Sequence, residues 1–140
     1  MPGIVVGIDG SEHARHVLEW AMREASLRQT PLTVLTVHEV AGGHWTGTPI
    51  VTAADEPYQE KARAAAEQLV AEAASRTAKP ASVTVRAMSG IPARELIAAS
   101  ADADLVVVGS RGGGGFAGLL MGSVSSQVAH HASCPVVVIR

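Results

Sequence analysis

The chain has 140 residues, a formal net charge of −2 and a charged fraction of 17%. This length indicates a single domain, residues 1–140, and the weak negative charge argues against a nucleic-acid binder that depends on a basic face. The longest apolar runs are too short to span a bilayer, and no basic and apolar leader opens the chain. Cys134 is the only cysteine, so no internal disulfide can form, and we expect a cytoplasmic protein. From the charge and the short apolar runs, we expect that it binds neither nucleic acid nor membrane.

Strand-like and helix-like segments alternate along the chain. Short apolar or alternating runs predict strands at Ile4–Ile8, Leu32–Val37, Val83–Met88, Leu105–Val108 and Pro135–Ile139. Apolar residues at helical spacing predict a helix capped by Ser11, a second that includes Ala62 and ends by Lys79-Pro80, a third with Pro92 in its first turn, and a fourth from about Ser123 to His131.

This alternation predicts an α/β fold: a doubly wound open parallel sheet with helices on both faces and right-handed crossovers. Leu105–Val108 is apolar at every position, which is typical of a strand covered on both faces. The long irregular stretch from about His38 to Glu56 is interpreted either as a functional loop or as a surface insertion.

The segment that is most informative about function follows the fourth predicted strand. A run of glycines begins at Gly109 and leads to the predicted start of a helix at Gly122-Ser123. Such a segment directs backbone N–H groups toward one point, and the helix dipole adds partial positive charge there. No Asp or Glu follows Asp104, and Arg111 lies inside the glycine run. The pattern therefore predicts a phosphate-binding loop.

Three nucleotide-binding motifs can be compared with this loop. A Walker A loop needs a lysine before its Ser or Thr, and the only lysines are Lys61 and Lys79, so a P-loop NTPase is excluded. The dinucleotide fingerprint matches at Gly113-x-Gly115-x-x-Gly118, but it lacks the acidic residue that should follow about twenty positions later. A third pattern matches fully: Gly109-x-x-Gly112, nine residues, then Gly122-Ser123.

With this third pattern, the chain resembles the ATP-binding, single-domain members of the universal stress protein family. The resemblance also covers the opening motif Ile4–Ser11, the Gly90-x-Pro92 turn and the closing segment Cys134–Ile139. It implies five strands in the order 3-2-1-4-5 and a nucleotide at the switch point between the first and fourth strands, where open α/β sheets bind ligands. The ligand that it implies is ATP together with Mg²⁺.

The residues that we predict to contact the nucleotide lie at the ends of the first, second and fourth strands and in the loop and helix start that follow. They are Gly7, Ile8, Asp9, Val37, Gly109, Arg111, Gly112, Gly122, Ser123, Val124 and Ser125. By the resemblance, Asp9 faces the ribose or a bound metal ion; alternatively, it only caps the helix near Ser11. The resemblance also implies that the backbone of Val37 contacts adenine.

The loop residues have physical roles of their own. Gly109, Gly112 and Gly122 allow the backbone to approach the ribose and phosphates closely. Ser123 offers an N–H and a hydroxyl, Val124 offers an N–H, and Ser125 adds a second hydroxyl. Arg111 either neutralises phosphate charge or is a solvated loop residue.

The remaining reactive residue types have plainer interpretations. His13 and His16 are expected on a solvent face of the first helix, and no histidine pair has metal-site spacing with acidic or cysteine partners. We expect Cys134 to act as a small buried apolar residue rather than as a reactive thiol.

The fifth predicted strand suggests how the protein assembles. In the implied strand order it lies at a sheet edge, and an apolar edge is rarely left open. Pairing of Pro135–Ile139 with the same strand of a second copy predicts a homodimer, which the resemblance also implies. On this basis, Val137→Pro is expected to break the dimer.

Together these observations predict an ATP-binding protein that senses or regulates a stress response, with slow or no ATP hydrolysis because no convincing base for water is present. Two alternatives remain at this stage. One is a slow ATPase on the same fold, and the other is a dimeric interaction module that binds no nucleotide or binds cyclic AMP.

Overall fold

The computed structural model describes residues 2–40, 53–110 and 122–140. Its five strands are all parallel and form one sheet in the order β3-β2-β1-β4-β5, which confirms the predicted fold class and strand order. The strands are β1 (Ile4–Ile8), β2 (Leu32–Glu39), β3 (Val83–Gly90), β4 (Leu105–Gly109) and β5 (Val136–Ile139).

Helices connect the strands within the described part of the chain. They are α1 (His13–Arg28), α2 (Glu56–Ala74), α3 (Pro92–Ser100) and α4 (Ser123–His131), and a short 3-10 helix at Ala53–Asp55 precedes α2. Proline occupies the first turn of both α2 and α3, where its missing N–H costs no hydrogen bond. Helix α2 ends well before Lys79-Pro80, so those residues belong to the connection that leads to β3.

Several boundaries differ from the sequence prediction. Ser11 does not cap α1: the N-cap is Glu12, and Ser11 donates to Asp9 instead. The pairing of β2 with β3 continues two residues further than predicted, to Glu39 opposite Gly90. The predicted irregular stretch therefore contains the end of β2 and the 3-10 helix, and its residues 41–52 lie outside the described part.

The sheet carries helices on both faces because the apolar residues of its strands alternate between two cores. One core packs α1 and α2 against residues such as Val6 and Val34, and the other packs α3 and α4 against residues such as Val5 and Val106. Each fully buried side chain of this size contributes about 1.5–3 kcal/mol. Helices α1 and α2 lie on one face and connect β1 to β2 and β2 to β3, while α3 and α4 lie on the other face and connect β3 to β4 and β4 to β5. Because the direction across the sheet and the face reverse together, these crossovers all have the same hand.

Among the helices of the described residues, none combines the length and the apolar character that crossing a membrane would require.

Candidate functional site

A crevice opens between β1 and β4 at the carboxyl end of the sheet. These two strands pair only as far as Val6 opposite Val107. In contrast, β1 stays paired with β2 up to Ile8, and β4 stays paired with β5 up to Gly109. The last residues of β1 and β4 are thus held by their outer neighbours and not by one another. This is the topological switch point, where open α/β sheets bind ligands.

Gly7 lies at this crevice, but packing accounts for its lack of a side chain. A Cβ atom on Gly7 would lie 2.8 Å from both Cδ atoms of Leu96, a buried residue of α3. Glycine therefore lets α3 approach the sheet. Gly7 can contact a ligand only through its backbone, and the same holds for Ile8, whose side chain is buried in the core beneath α1.

Asp9 follows β1 directly and is exposed. Its Oδ1 atom accepts a hydrogen bond from the N–H of Ser11 at 2.9 Å and a second from the Ser11 hydroxyl. These bonds hold the turn between β1 and α1, but Asp9 does not cap the helix, because the N-cap of α1 is Glu12. Because both bonds end on the same oxygen, the carboxylate keeps a second oxygen that can accept hydrogen bonds or bind a cation.

The orientation of the β2 backbone follows from hydrogen bonds at its two ends. The N–H groups of Leu32 and Val40 donate to the carbonyls of Ser82 and Gly90, which flank or end β3. Even-numbered residues of β2 therefore direct their backbone groups toward β3. Odd-numbered residues direct theirs toward β1, in agreement with the Pro31 carbonyl that precedes β2 and accepts from the N–H of Ile4.

Val37 is an odd-numbered residue of β2 and lies at the point where β1 ends. The last pair between the two strands is Ile8 with Thr36. Odd-numbered residues of β2 direct their carbonyls toward β1, and Val37 is the first of them that lies beyond the last residue of β1. Its carbonyl therefore has no N–H group of β1 as a partner. It points over the carboxyl end of β1, toward the side on which the crevice lies. Contrary to the sequence prediction, Val37 does not end the strand, because β2 continues along β3 to Glu39.

Helix α4 begins beside the same crevice. Its first intrahelical bond runs from the N–H of Ser126 to the carbonyl of Gly122, at 3.0 Å. The N–H groups of the three residues between them, Ser123–Ser125, precede the helical ladder and point out of the helix mouth. The first turn contains no acidic residue. The mouth of α4 is thus a positive site suited to an anion.

The structure adds detail to two of the predicted contacts at this mouth. Gly122 is the N-cap of α4 with φ −77° and ψ 170°, a conformation that any residue adopts, so its dihedral angles do not require glycine. The Ser125 side chain is buried, and its hydroxyl donates to the Gly122 carbonyl at 3.0 Å. Ser123 is exposed, and Val124 is half-buried. Arg111 and Gly112 lie outside the described residues.

Two residues that sequence reasoning missed hold the base of the site. Ser110, directly after Gly109, is buried; its N–H donates to the Ile139 carbonyl, and its own carbonyl accepts from the N–H of Gly122. His13 is half-buried rather than freely solvated, and its Nε2 atom lies 2.9 Å from the same Ile139 carbonyl. His13 and Ile139 are 126 positions apart, and no local pattern links them.

His38 and Cys134, the two other reactive side chains considered, are explained by their local surroundings. His38 at the end of β2 pairs with Asp55 before α2 at 3.2 Å and stacks on Tyr58. Cys134 is half-buried, and burial raises the pKa of its thiol; the Val106 backbone lowers this pKa in part, and the charge of Asp104 raises it. A raised pKa leaves less thiolate at neutral pH, and Cys134 is less buried than predicted from the sequence.

The comparison with protein-family models identifies the chain. The model described as the universal stress protein family matches residues 2–140. The chain belongs to the universal stress protein family.

A curated relative extends this result. A universal stress protein of Mycolicibacterium smegmatis is 38% identical over 140 residues, which cover 99% of this chain and 48% of the relative. The chain thus spans about half the length of the curated universal stress proteins that it matches.

Solved structures of this family share the fold. The universal stress protein UspA of Lactobacillus plantarum is 26% identical and superimposes with a TM-score of 0.75, over 99% of this chain and 97% of that chain. A universal stress protein of Archaeoglobus fulgidus in complex with dAMP is also 26% identical, with a TM-score of 0.64 over 100% and 98% of the two chains. A universal stress protein in complex with cAMP, 24% identical with a TM-score of 0.68 over 99% and 96%, shares the fold alone.

Proposed function

We propose that this universal stress protein binds an adenine nucleotide in the crevice between β1 and β4, with the phosphates at the mouth of α4 and the base beside the end of β2. The single observation that carries the proposal is the mouth itself. Three consecutive N–H groups precede the helical ladder beside the topological switch point, and no acidic residue of the first turn opposes an anion.

The end of β2 offers a hydrogen-bond acceptor to the adenine base. The Val37 carbonyl points over the carboxyl end of β1, toward the crevice. A carbonyl in this place accepts a hydrogen bond from the exocyclic amino group of adenine, a donor that guanine does not present at the equivalent position. This backbone contact favours adenine over guanine without any polar side chain.

ATP is the proposed ligand, and Mg²⁺ is proposed to accompany it. Asp9 fits the cation, since it is an exposed carboxylate directly after β1 with one oxygen outside the Ser11 turn. Carboxylate and phosphate oxygens are the ligands that Mg²⁺ prefers. When bound, Mg²⁺ would neutralise phosphate charge. Arg111 and Gly112 stay in the proposal as sequence-based contacts.

A relative whose ligand is known supports an adenine nucleotide as the ligand of this chain. The universal stress protein of Archaeoglobus fulgidus was solved in complex with dAMP, and it shares the fold over nearly its whole length. We propose that this chain uses its nucleotide to report or regulate a stress response in the cytoplasm, as a single domain with slow or no hydrolysis.

We also propose that β5 pairs with β5 of a second copy. The carbonyls of Pro135 and Ile139 accept bonds from β4 and from Ser110 directly after it, so odd-numbered residues of β5 face β4, and Val136 and Val138 direct their backbone groups outward. This alternation corrects one sequence-based expectation: the N–H of Val137 faces β4, so Val137→Pro would first break the sheet within one chain.

The opposite edge of the sheet is different. There, the even-numbered residues of β3 face β2, so the Val85 carbonyl points outward, and the Arg63 guanidinium donates to it at 3.3 Å. A charged side chain over an edge strand discourages pairing with another chain. The contrast between the two edges favours β5 as the site of assembly.

A thermal-shift titration tests nucleotide binding. ATP with Mg²⁺ at about one hundred times its Kd should add about 2.7 kcal/mol to the free energy of unfolding, which raises the Tm by several degrees. ADP, AMP, cyclic AMP and GTP are compared in parallel, and ATP turnover is measured on the same sample. Steady turnover would favour the ATPase alternative, and no shift with any adenine nucleotide would favour the interaction module.

Two variants of one residue locate the site. Gly122→Glu places a carboxylate at the mouth of α4 and should abolish the ATP-dependent shift. Gly122→Ala is the matched control, because the dihedral angles of Gly122 suit any residue and alanine adds no charge. A folded Gly122→Glu variant that binds ATP as tightly as Gly122→Ala does would rule out this position for the phosphates.

A further inference from the structure

The carbonyl of Ile139, the last residue of β5, accepts two hydrogen bonds. The N–H of Ser110 donates to it at 2.7 Å, as the final bond between β5 and the segment that ends β4. The Nε2 atom of His13, in the first turn of α1, lies 2.9 Å from the same oxygen. A carbonyl oxygen has two lone pairs and can only accept, so His13 is the donor and carries its proton on Nε2.

This junction is well shielded from water. Ile139 is 8% exposed and Ser110 is 5% exposed, while His13 is half-buried. Hydrogen bonds in such surroundings are electrostatically stronger than in water. The two donors share the lone pairs of one oxygen, so the His13 bond adds a second restraint on the position of the Ile139 carbonyl, in addition to attaching α1.

The chain of bonds continues to the mouth of α4. The Ser110 carbonyl accepts from the N–H of Gly122 at 2.8 Å. Gly122 is the N-cap of α4, directly before the N–H groups of Ser123 and Val124. The contacts thus run from the His13 ring to the Ile139 carbonyl and on to the N–H of Ser110, and from the Ser110 carbonyl to the backbone that begins α4.

We propose that His13 is a positioning residue for the phosphate-binding mouth of α4. It touches no phosphate itself; it fixes the Ile139 carbonyl, which holds Ser110 by its N–H, and the carbonyl of Ser110 in turn holds Gly122 in place. The inference rests on the proposed function, since it names a residue that supports the same site. It also links that site to the end of β5, the strand proposed to form the dimer.

Replacement of His13 separates this role from simple attachment of α1. His13→Ala removes the donor, whereas His13→Gln retains an N–H group of similar reach. His16→Ala is the matched control, because His16 is an exposed histidine one turn away whose ring lies 5.6 Å from that of His13. For each variant, the Kd for ATP with Mg²⁺ is measured by titration calorimetry, the Tm by scanning calorimetry, and exchange of the Ser110 and Gly122 amides by NMR.

We expect His13→Ala to weaken ATP binding about five-fold, as for the loss of one hydrogen bond, and to accelerate exchange at Ser110 and Gly122. His13→Gln should restore most of both, and His16→Ala should change neither. A His13→Ala variant with a lower Tm but wild-type affinity and wild-type exchange at these two amides would overturn the proposal, and so would an equal loss in His16→Ala.

Failure of the proposed function gives a different result. If the wild-type protein shows no heat of binding with ATP, the nucleotide site is wrong, whatever His13 does. The amide exchange needs no ligand, so it still decides whether His13 holds the backbone of Ser110 and Gly122: acceleration in His13→Ala supports this part of the inference, and unchanged exchange refutes it.

Discussion

Replacement of Gly7 by alanine tests whether this glycine serves packing or ligand binding. The new Cβ atom would lie 2.8 Å from both terminal carbons of Leu96, a separation that real Cβ atoms do not show. Leu96 is 4% exposed, within the core between α3 and the sheet. Its side chain has little room to move, so either α3 shifts outward or Leu96 adopts a poorer rotamer.

Two opposing effects set the size of the change in stability. Overpacking of a well-filled core costs about 1–3 kcal/mol. Alanine in a strand gains about 0.5–1 kcal/mol over glycine because it loses less backbone entropy on folding. The two ranges leave a net cost of about 0–2.5 kcal/mol, centred near 1 kcal/mol, and a loss of about 1 kcal/mol lowers the Tm by roughly 3–4 °C in a domain of this size.

Urea denaturation of Gly7→Ala and a matched control provides the measurement. The control is Gly10→Ala, since no atom lies within 4 Å of a Cβ at Gly10, and this variant should be neutral or slightly more stable. In Gly7→Ala/Leu96→Ala, the smaller side chain at 96 removes the clash, so the double variant should be more stable than the sum of the single effects by about 1 kcal/mol. Additive effects, or a Gly7→Ala protein more stable than wild type, would refute the packing argument. Normal stability with lost ATP binding would assign Gly7 to the ligand instead.

Three further changes test other parts of the structure. Ser100→Ala should cost about 1–3 kcal/mol in urea denaturation, because the buried Ser100 hydroxyl accepts from the N–H of Ser133 at 2.8 Å, and an unchanged midpoint would contradict this role. Val138→Pro removes an outward N–H of β5 and should reduce the mass measured by light scattering from dimer to monomer; a folded dimeric variant would argue against β5 pairing. Iodoacetamide should alkylate Cys134 more slowly at pH 8 than it alkylates free cysteine, because burial raises the pKa of the Cys134 thiol and leaves less thiolate. The alkylation rate of Cys134 should also keep rising with pH in the range where the rate of free cysteine levels off. Alkylation as fast as that of free cysteine would contradict this environment.

Local patterns in the sequence were sufficient for the elements of the fold. Alternating apolar residues in the strands and helical spacing between them report which faces are buried, and burial of apolar surface is the main force that drives folding. The predicted strands and helices therefore lie where the structure has them, and the errors fall at their ends. There, the pairing of β2 with β3 and the turn between Asp9 and Ser11 decide the boundary, and neither leaves a periodic signal.

The same distinction holds for the candidate site. Glycines before a helix start, with no acid nearby, already indicate an anion-binding mouth, because backbone N–H groups and the helix dipole are local properties. The direction of the Val37 carbonyl depends on where a neighbouring strand ends, and the need for glycine at Gly7 depends on how closely α3 approaches. His13 meets Ile139 only after the whole sheet has formed, since the two residues stand 126 positions apart. Residue patterns along the chain are therefore enough to specify the elements and the chemistry of the mouth. The backbone groups that face the crevice, and the contacts that support them, follow from the folded sheet, because they depend on segments that are distant in the sequence.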